Sequence, residues 1–308
     1  MNYVIISPCR NEAQYMRRTL DSVIRQTLRP RKWVIVDDGS SDDTPNILRE
    51  YRQRHDWITV VTRPDRGRRK VGPGVIEAFY AGLETIDLDE YEYLCKLDLD
   101  LDLPPRYFET LVERMRANPR IGTCSGKPYE LRNNRHVSDD YGDEMSVGAS
   151  KFYRIDCFRE IGGFVRQVMW DAIDCHKCRQ LGWIACSWDA PELRFEHLRP
   201  EGSSERNILT GRKRHGFGQY YMGTAFPFML ASSLYRMAFP PYFLGGLYML
   251  LGYLQSGLLR KPRHPDPQLR RFIRRYQYHA LLKGKRRTIA EIDQRQAAVW
   301  ARRHAEHG

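Results

Sequence analysis

The sequence predicts an α/β fold, a mostly parallel sheet with helices on both faces, followed by a basic helical region that meets a membrane. Three observations predict it. Apolar runs of strand length alternate with stretches of helical period; three of the predicted strands run into acidic or polar clusters; and the charge balance changes sign near residue 205.

The elements support this class one by one. Tyr3 to Ser7 is a short β-branched run that reads as a buried strand, and Glu12 to Gln26 repeats its apolar residues at helical spacing through Met16, Leu20, Val23 and Ile24. Trp33 to Val36 reads as a second strand, ended by Asp37, Asp38, Gly39 and Ser40, and Asp43 to His55 as a helix with Thr44 and Pro45 near its start. A strand at Ile58 to Thr62, a helix at Gly74 to Thr85, a strand at Tyr93 to Leu97 and a helix at Pro105 to Ala117 continue the rhythm of parallel strands and crossover helices. Beyond residue 120 the pattern is mixed, as a substrate-shaping region would be. Ser150 to Arg154 reads as a strand, and Asp156 to Ile161 and Asp171 to Leu181 as helices ended by glycine. Ile184 to Trp188 and Leu193 to His197 read as two further strands.

Charge divides the chain. Residues 1–205 carry 31 Lys and Arg against 34 Asp and Glu, and residues 206–308 carry 19 against 4. A near-neutral body at 1–205 is thus followed by an anion-seeking region at 206–308. Seven cysteines without a compact even framework argue against a disulfide-stapled secreted fold, and Cys175 and Cys178, an isolated CxxC in a helix, with Cys186 further on, read as buried thiols. The N-terminal apolar run is short and lacks a basic flank, so it reads as a strand and not as a signal peptide.

Ligands of open α/β sheets sit beyond the carboxyl ends of the strands. Here the first strand runs into Pro8, Cys9, Arg10, Asn11 and Glu12, the second into Asp37 and Asp38, and the fourth into Asp98, Leu99, Asp100, Leu101 and Asp102. Asp98 and Asp100 alternate with leucines, so an extended backbone points the carboxylates one way and the leucines the other. Carboxylates sharing a face repel unless a cation neutralises them, and all-oxygen ligation suits Mg²⁺ or Mn²⁺ bridging to phosphate.

Four segments in this order resemble family 2 glycosyltransferases, which have the nucleotide-binding GT-A fold: Ile5 to Glu12, Ser22 to Thr27, Val34 to Thr44, and Lys96 to Asp100. With Trp170 and Asp171 they span roughly the first two-thirds of the chain. The resemblance implies that Pro8, Arg10 and Glu12 border the nucleoside and that Asp38 accepts from the base, typically the N3 proton of uracil. It implies that Asp98 lies near the ribose and Asp100 on the metal. It also implies an acidic catalytic residue at a late helix start, where Asp171 fits and Asp174, one turn on, competes. Displacement at an anomeric carbon requires such a base and a charge sink for the departing nucleoside diphosphate. A carboxylate at a strand-to-helix junction also suits a helix N-cap. His197, at the end of a strand, is a candidate for the metal shell or the diphosphate, and Arg199 for phosphate. Arg66, Arg68, Arg69 and Lys70, before the turn Val71 to Gly74, read as a solvated loop, with approach to phosphate as the alternative.

Two other readings fare less well. A sugar nucleotidyltransferase needs a glycine-rich N-terminal loop, and Ser7 to Ala13 contains no glycine. A nucleic-acid-binding tail does not call for the two long stretches, 216–235 and 237–259, that lack Asp, Glu, Lys and Arg. Those stretches, interrupted by Pro227 and by Pro240 and Pro241, predict a re-entrant or interfacial helix pair with Arg236 reaching headgroups, and basic helices near Arg270 to Arg275 resting on anionic lipid. The expected whole is an inverting transferase on the cytoplasmic face of the cell membrane. It takes a nucleotide-sugar donor and a lipid-linked or other envelope saccharide acceptor, without nucleic acid.

Overall fold

A computed structural model describes residues 2–65, 67, 72–132, 135–138, 142–199 and 207–305. The chain forms two compact units, Met1–Arg166 with Trp183–Pro200, and Gln167–Gly182 with Glu201–Gly308. The sequence places the division at 205/206; the structure also counts residues 167–182 with the C-terminal helices, because the helix they form packs on two of them.

The first unit begins β1 (Tyr3–Cys9), α1 (Met16–Ile24), β2 (Lys32–Asp37), α2 (Thr44–Arg54), β3 (Ile58–Thr62), α3 (Pro73–Leu83), β4 (Tyr93–Leu97), β5 (Leu101–Asp102) and α4 (Tyr107–Ala117). It continues through β6 (Ile121–Ser125), β7 (Lys127–Arg132), β8 (Arg135–Ser138), β9 (Ser150–Arg154), α5 (Ile155–Glu160), β10 (Ile184–Ser187) and β11 (Arg194–His197). Seven strands form one sheet in the order β10, β6, β9, β4, β1, β2, β3. All its pairings are parallel except those of β9, which runs antiparallel to β4 and β6.

Burial follows the sequence pattern. The helices turn apolar residues inward at helical spacing, Met16, Leu20 and Val23 from α1 and Phe108, Leu111, Val112 and Met115 from α4, against Tyr3, Trp33, Tyr93 and Phe152 of the sheet. Tyr93 and Phe152, neighbours across β4 and β9, stack with ring centroids 5.4 Å apart.

A second, four-stranded sheet, β5, β11, β7, β8, was not expected. Of its strands β11 is legible in the sequence, whereas β5 has only two residues and β7 carries Lys127, Pro128 and Glu130 where alternation would show. This sheet matters to the site. It pairs His197 with Leu101 and Glu196 with Asp102, bringing the end of β11 to the segment after β4.

The second unit contains α6 (Trp170–Gln180), α7 (Ile208–Met222), α8 (Phe226–Arg236), α9 (Leu244–Leu258), α10 (Pro267–Lys283) and α11 (Lys285–His304). Its two apolar stretches are broken, as expected, but the first is not broken at its proline. The run 216–235 holds the end of α7, a left-handed turn at Gly223 and most of α8, and Pro227 opens α8 instead of interrupting it. Among the described residues no helix is long and apolar enough to cross a membrane. Helices α7 and α9 meet backbone to backbone: a Cβ on Gly216 would lie 1.9 Å from the Met249 carbonyl oxygen, and one on Gly252 2.1 Å from that of Lys213. Helix α6 packs on α10 through His176 against Tyr276, and Arg179 pairs with Asp293 of α11 at 3.4 Å.

Candidate active site

The carboxyl ends of β1, β2 and β4 and the end of β11 supply the site of the first unit. At the β1 and β2 ends, Arg10 donates to the Asp38 carbonyl and pairs with Asp65 at 2.6 Å. Arg63, just beyond β3, pairs with Asp38 Oδ1 at 2.8 Å. Asn11, at φ 54°, locks the two loops together: its backbone N–H donates to Ser40 Oγ at 2.9 Å and its Oδ1 accepts from the Ser41 N–H at 2.8 Å. Glu12 is buried, and its N–H donates to Thr44 Oγ1 at 2.9 Å. Pro8 is buried within β1, opposite Val36.

The acidic cluster differs from its expected conformation. Strand β4 stops at Leu97, so Asp98 and Asp100 lie in a turn before β5 and not in a continuous strand. The alternation nonetheless survives, because Leu97, Leu99 and Leu101 are anchored in the core while both carboxylates are only partly covered. Lys96 is one of three basic residues beside them. It is buried, pairs with Asp98 at 2.6 Å and donates to the Gly148 carbonyl at 2.8 Å. Asp100 faces two further groups: His197 Nε2 at 3.7 Å and Arg199 Nε at 3.5 Å from its Oδ2. Arg199 also pairs closely with Glu12 and lies over the Tyr15 ring at 5.1 Å.

The two carboxylates are driven apart electrically. Burial, with the like charge of Asp100, pushes the Asp98 carboxyl up against the pull of Lys96. For Asp100 burial also acts upward, but His197, Arg199 and Lys96 outweigh it and hold the carboxyl below its ordinary range. Of the two, Asp100 is the carboxylate whose anionic form its neighbours favour more. Its Oδ1 is buried and accepts no hydrogen bond.

That orphaned oxygen tests whether a divalent cation fits. Among the described residues no three His, Cys, Asp or Glu side chains are arranged to hold a metal alone. A buried, unused carboxylate oxygen beside an imidazole instead fits an ion held by few protein atoms and completed by phosphate oxygens and water. Arg199 carries a compensating charge that a diphosphate can take up.

Asp171 belongs to the second unit, in the first turn of α6, and is half-buried. It is not the N-cap: that position is Met169, at φ 62°, and makes no side-chain cap hydrogen bond. Asp174 is buried, and its Oδ1 accepts from the N–H of Cys175. Cys175 and Cys178 are buried and form no disulfide. Of the basic loop before α3, Arg66, Arg68, Arg69, Lys70 and Val71 lie outside the described residues. Sequence reasoning missed Arg63 and Asp65. Arg63 and Asp65 follow directly on β3, so a search for polar residues at every strand end would have found them.

The profile of the family described as Glycosyl transferase family 2 matches residues 4–172, more than half of the chain. The poly-beta-1,6-N-acetyl-D-glucosamine synthase of Staphylococcus epidermidis is 31% identical over 132 residues, 42% of this chain and 29% of that protein. The chain thus matches less than a third of the length of this curated relative. Among solved structures, the mannosyltransferase PcManGT from Pyrobaculum calidifontis, in complex with GDP-Man and Mn²⁺, superposes with a TM-score of 0.51 at 17% identity, covering 97% of this chain and 86% of that one. S. aureus TarS 1-349 in complex with UDP-GlcNAc gives 0.52 at 14% identity, covering 99% and 92%. At these identities the likeness is one of fold.

Proposed function

The chain belongs to glycosyl transferase family 2, and we propose that it moves one sugar, with inversion, from a nucleoside-diphosphate sugar to a hydroxyl of a membrane-associated saccharide. The observation that carries this reading is the Asp100 carboxylate, held anionic between His197 and Arg199 with one buried oxygen unused. A divalent ion there would use the free oxygen of Asp100, and a diphosphate would meet Arg199.

In this reading Asp100 and His197 hold Mg²⁺ or Mn²⁺, which supplies charge stabilisation for the leaving diphosphate. Arg199, released from Glu12, meets phosphate oxygens. Lys96 holds Asp98 toward the ribose. Asp38, fixed by Arg63, accepts from the base, while Pro8, Arg10 and Glu12 shape the loop beside it. A base pattern of one acceptor carboxylate suits uracil, and the likeness to a synthase named for N-acetylglucosamine makes UDP-N-acetylglucosamine the first donor to try. Asp171 takes the acceptor hydroxyl's proton; it is half-exposed where Asp174 is buried, and the family match ends one residue after it. The acceptor is a lipid-linked or other envelope saccharide, and the enzyme works on the cytoplasmic face of the membrane, where nucleotide sugars are made.

Nucleoside diphosphate release from a panel of UDP- and GDP-sugars, with Mn²⁺, with Mg²⁺ and with EDTA, tests the reading. Release from a UDP-sugar that stops in EDTA is expected. Release unaffected by EDTA and by Asp100→Ala would sink it.

A further inference from the structure

In the second unit, helix α9 is built inside out for a protein surrounded by water. Its buried face carries Gly245, Gly246, Met249, Gly252 and Ser256, small enough for α7 and α8 to approach at backbone distance. Its outward face carries Leu244, Leu251, Leu254 and Leu258, 44, 45, 41 and 83% exposed. These fall at helical spacing and form one stripe. Helix α8, antiparallel to α9 with Phe226 near Tyr253 and Ser233 near Gly246, repeats the arrangement: Phe226, Leu230 and Leu234 are exposed along one face while Ser233 is buried. Tyr235, Phe239, Tyr242 and Phe243 crowd the link between the two helices, all exposed. An exposed apolar surface of this extent on a soluble domain marks an interaction site. Small residues inside and bulky ones outside is the packing of helices whose outer solvent is hydrocarbon.

Charge identifies the partner. Between residues 207 and 290 the chain carries 15 Lys and Arg against one acid, Asp266. Arg260 and Lys261 follow directly on the leucine stripe, and Arg271 and Arg275 are exposed one turn apart on α10. Not all of the basic residues expected at a membrane are free for it: Arg274 donates to the Gly223 carbonyl and Arg270 packs over Gly223. The 15 residues of α9 extend about 22 Å at 1.5 Å per residue, short of a ~30 Å hydrocarbon core.

We infer that the α8–α9 pair is a monotopic membrane face, seated in one leaflet of an anionic bilayer by the Leu244–Leu258 stripe and the aromatic link, with Arg260, Lys261, Arg271 and Arg275 at the headgroups. Aromatic and basic side chains at the boundary are the usual anchors of such a seat. The inference stands on the second unit alone and holds whatever sugar the first unit handles.

Flotation of the full chain with phosphatidylcholine vesicles, with and without phosphatidylglycerol, tests it. Binding to the anionic vesicles is expected, weakened by at least about tenfold in the triple variant Leu251→Ser, Leu254→Ser, Leu258→Ser, whose UDP binding stays unchanged. Leu258→Cys carrying an environment-sensitive dye guards against misfolding of the triple variant: its emission should shift to the blue on anionic vesicles. No binding by the full chain, unchanged binding by the triple variant, an unshifted dye, or a dimer in solution that the triple variant dissolves would each overturn the inference.

Discussion

The two units spend their apolar residues in opposite ways. In the first, Trp33, Tyr93, Phe108 and Phe152 fill the space between sheet and helices, and exposed positions go to charge. In the second, glycine and serine line the crossings of α7, α8 and α9 while leucines face out. Ionisable groups differ as well. The first unit pairs its buried charges, Lys96 with Asp98 and Arg199 with Glu12, at the ends of strands. The second pairs its buried Arg179 with Asp293 and also buries His176, where burial, aided by Arg179, pushes the imidazole down to about 3. The first unit thus gathers charge at the ends of its strands, and the second turns apolar side chains outward.

The largest effect should come from the charged cluster. Asp100→Ala removes the carboxylate with the unused oxygen, and transfer should fall by about 10³ or more, read as initial rates at saturating donor. Asp171→Asn keeps the shape but cannot accept a proton, so turnover should fall by about 10² with nucleotide affinity intact. If Asp174→Asn is instead the inactive variant, the base lies one turn further along α6. Anomeric configuration, followed by proton NMR of the product, should be inverted; retention would remove the single-displacement scheme altogether.

Smaller effects test the second side of the comparison. Gly252→Leu forces a side chain against the Lys213 carbonyl and should cost about 1–3 kcal/mol in denaturant unfolding of the helical unit. Its outward neighbour, Leu251→Ser, should leave that stability nearly unchanged. Acid should weaken the same unit. His176 is held below its unfolded value of about 6.5, so the unfolded chain binds the extra proton, and the stability present above that pH is lost as the pH falls toward about 3. The slope for this group is at most about 1.4 kcal/mol per pH unit, and His176→Phe, still able to pack on Tyr276, should remove it from unfolding curves recorded between pH 7 and 5. Least of all, Arg63→Ala frees Asp38 and should raise the KM for donor by about tenfold or less while kcat holds.

How much of this was legible depended on how local the signal is. Strands β3, β4 and β9 end where their apolar runs end, and α2 and α4 differ from expectation by a residue or two, because burial on one face writes a period into the sequence. The turn at Asp98 to Asp100 could not be told from a strand, since the same alternation of leucine and aspartate serves both. β7 was lost in part because Lys127 is buried and paired with Asp143, a pairing no period reveals. The candidate residues Pro8, Arg10, Glu12, Asp38, Asp98, Asp100, His197 and Arg199 could be named from motif and strand end, and the structure places them at the ends of β1, β2, β4 and β11. The ties of Arg63 to Asp38 and of Arg199 to both Glu12 and Asp100 were not, because they span 25 and up to 187 residues. The apolar runs of the tail and their proline interruptions were visible, which argued against simple crossings, but the breaks at Gly223 and Phe243 that divide them into α7, α8 and α9 were not.

Calorimetric titration of UDP tests the central claim most directly, that the Asp100 cluster holds a nucleoside diphosphate through a divalent ion. Wild-type protein with Mn²⁺ should bind UDP at least about tenfold more tightly than the same protein in EDTA, and Asp100→Asn with Mn²⁺ should behave as the wild type does in EDTA. Equal affinity in all three titrations would contradict the account.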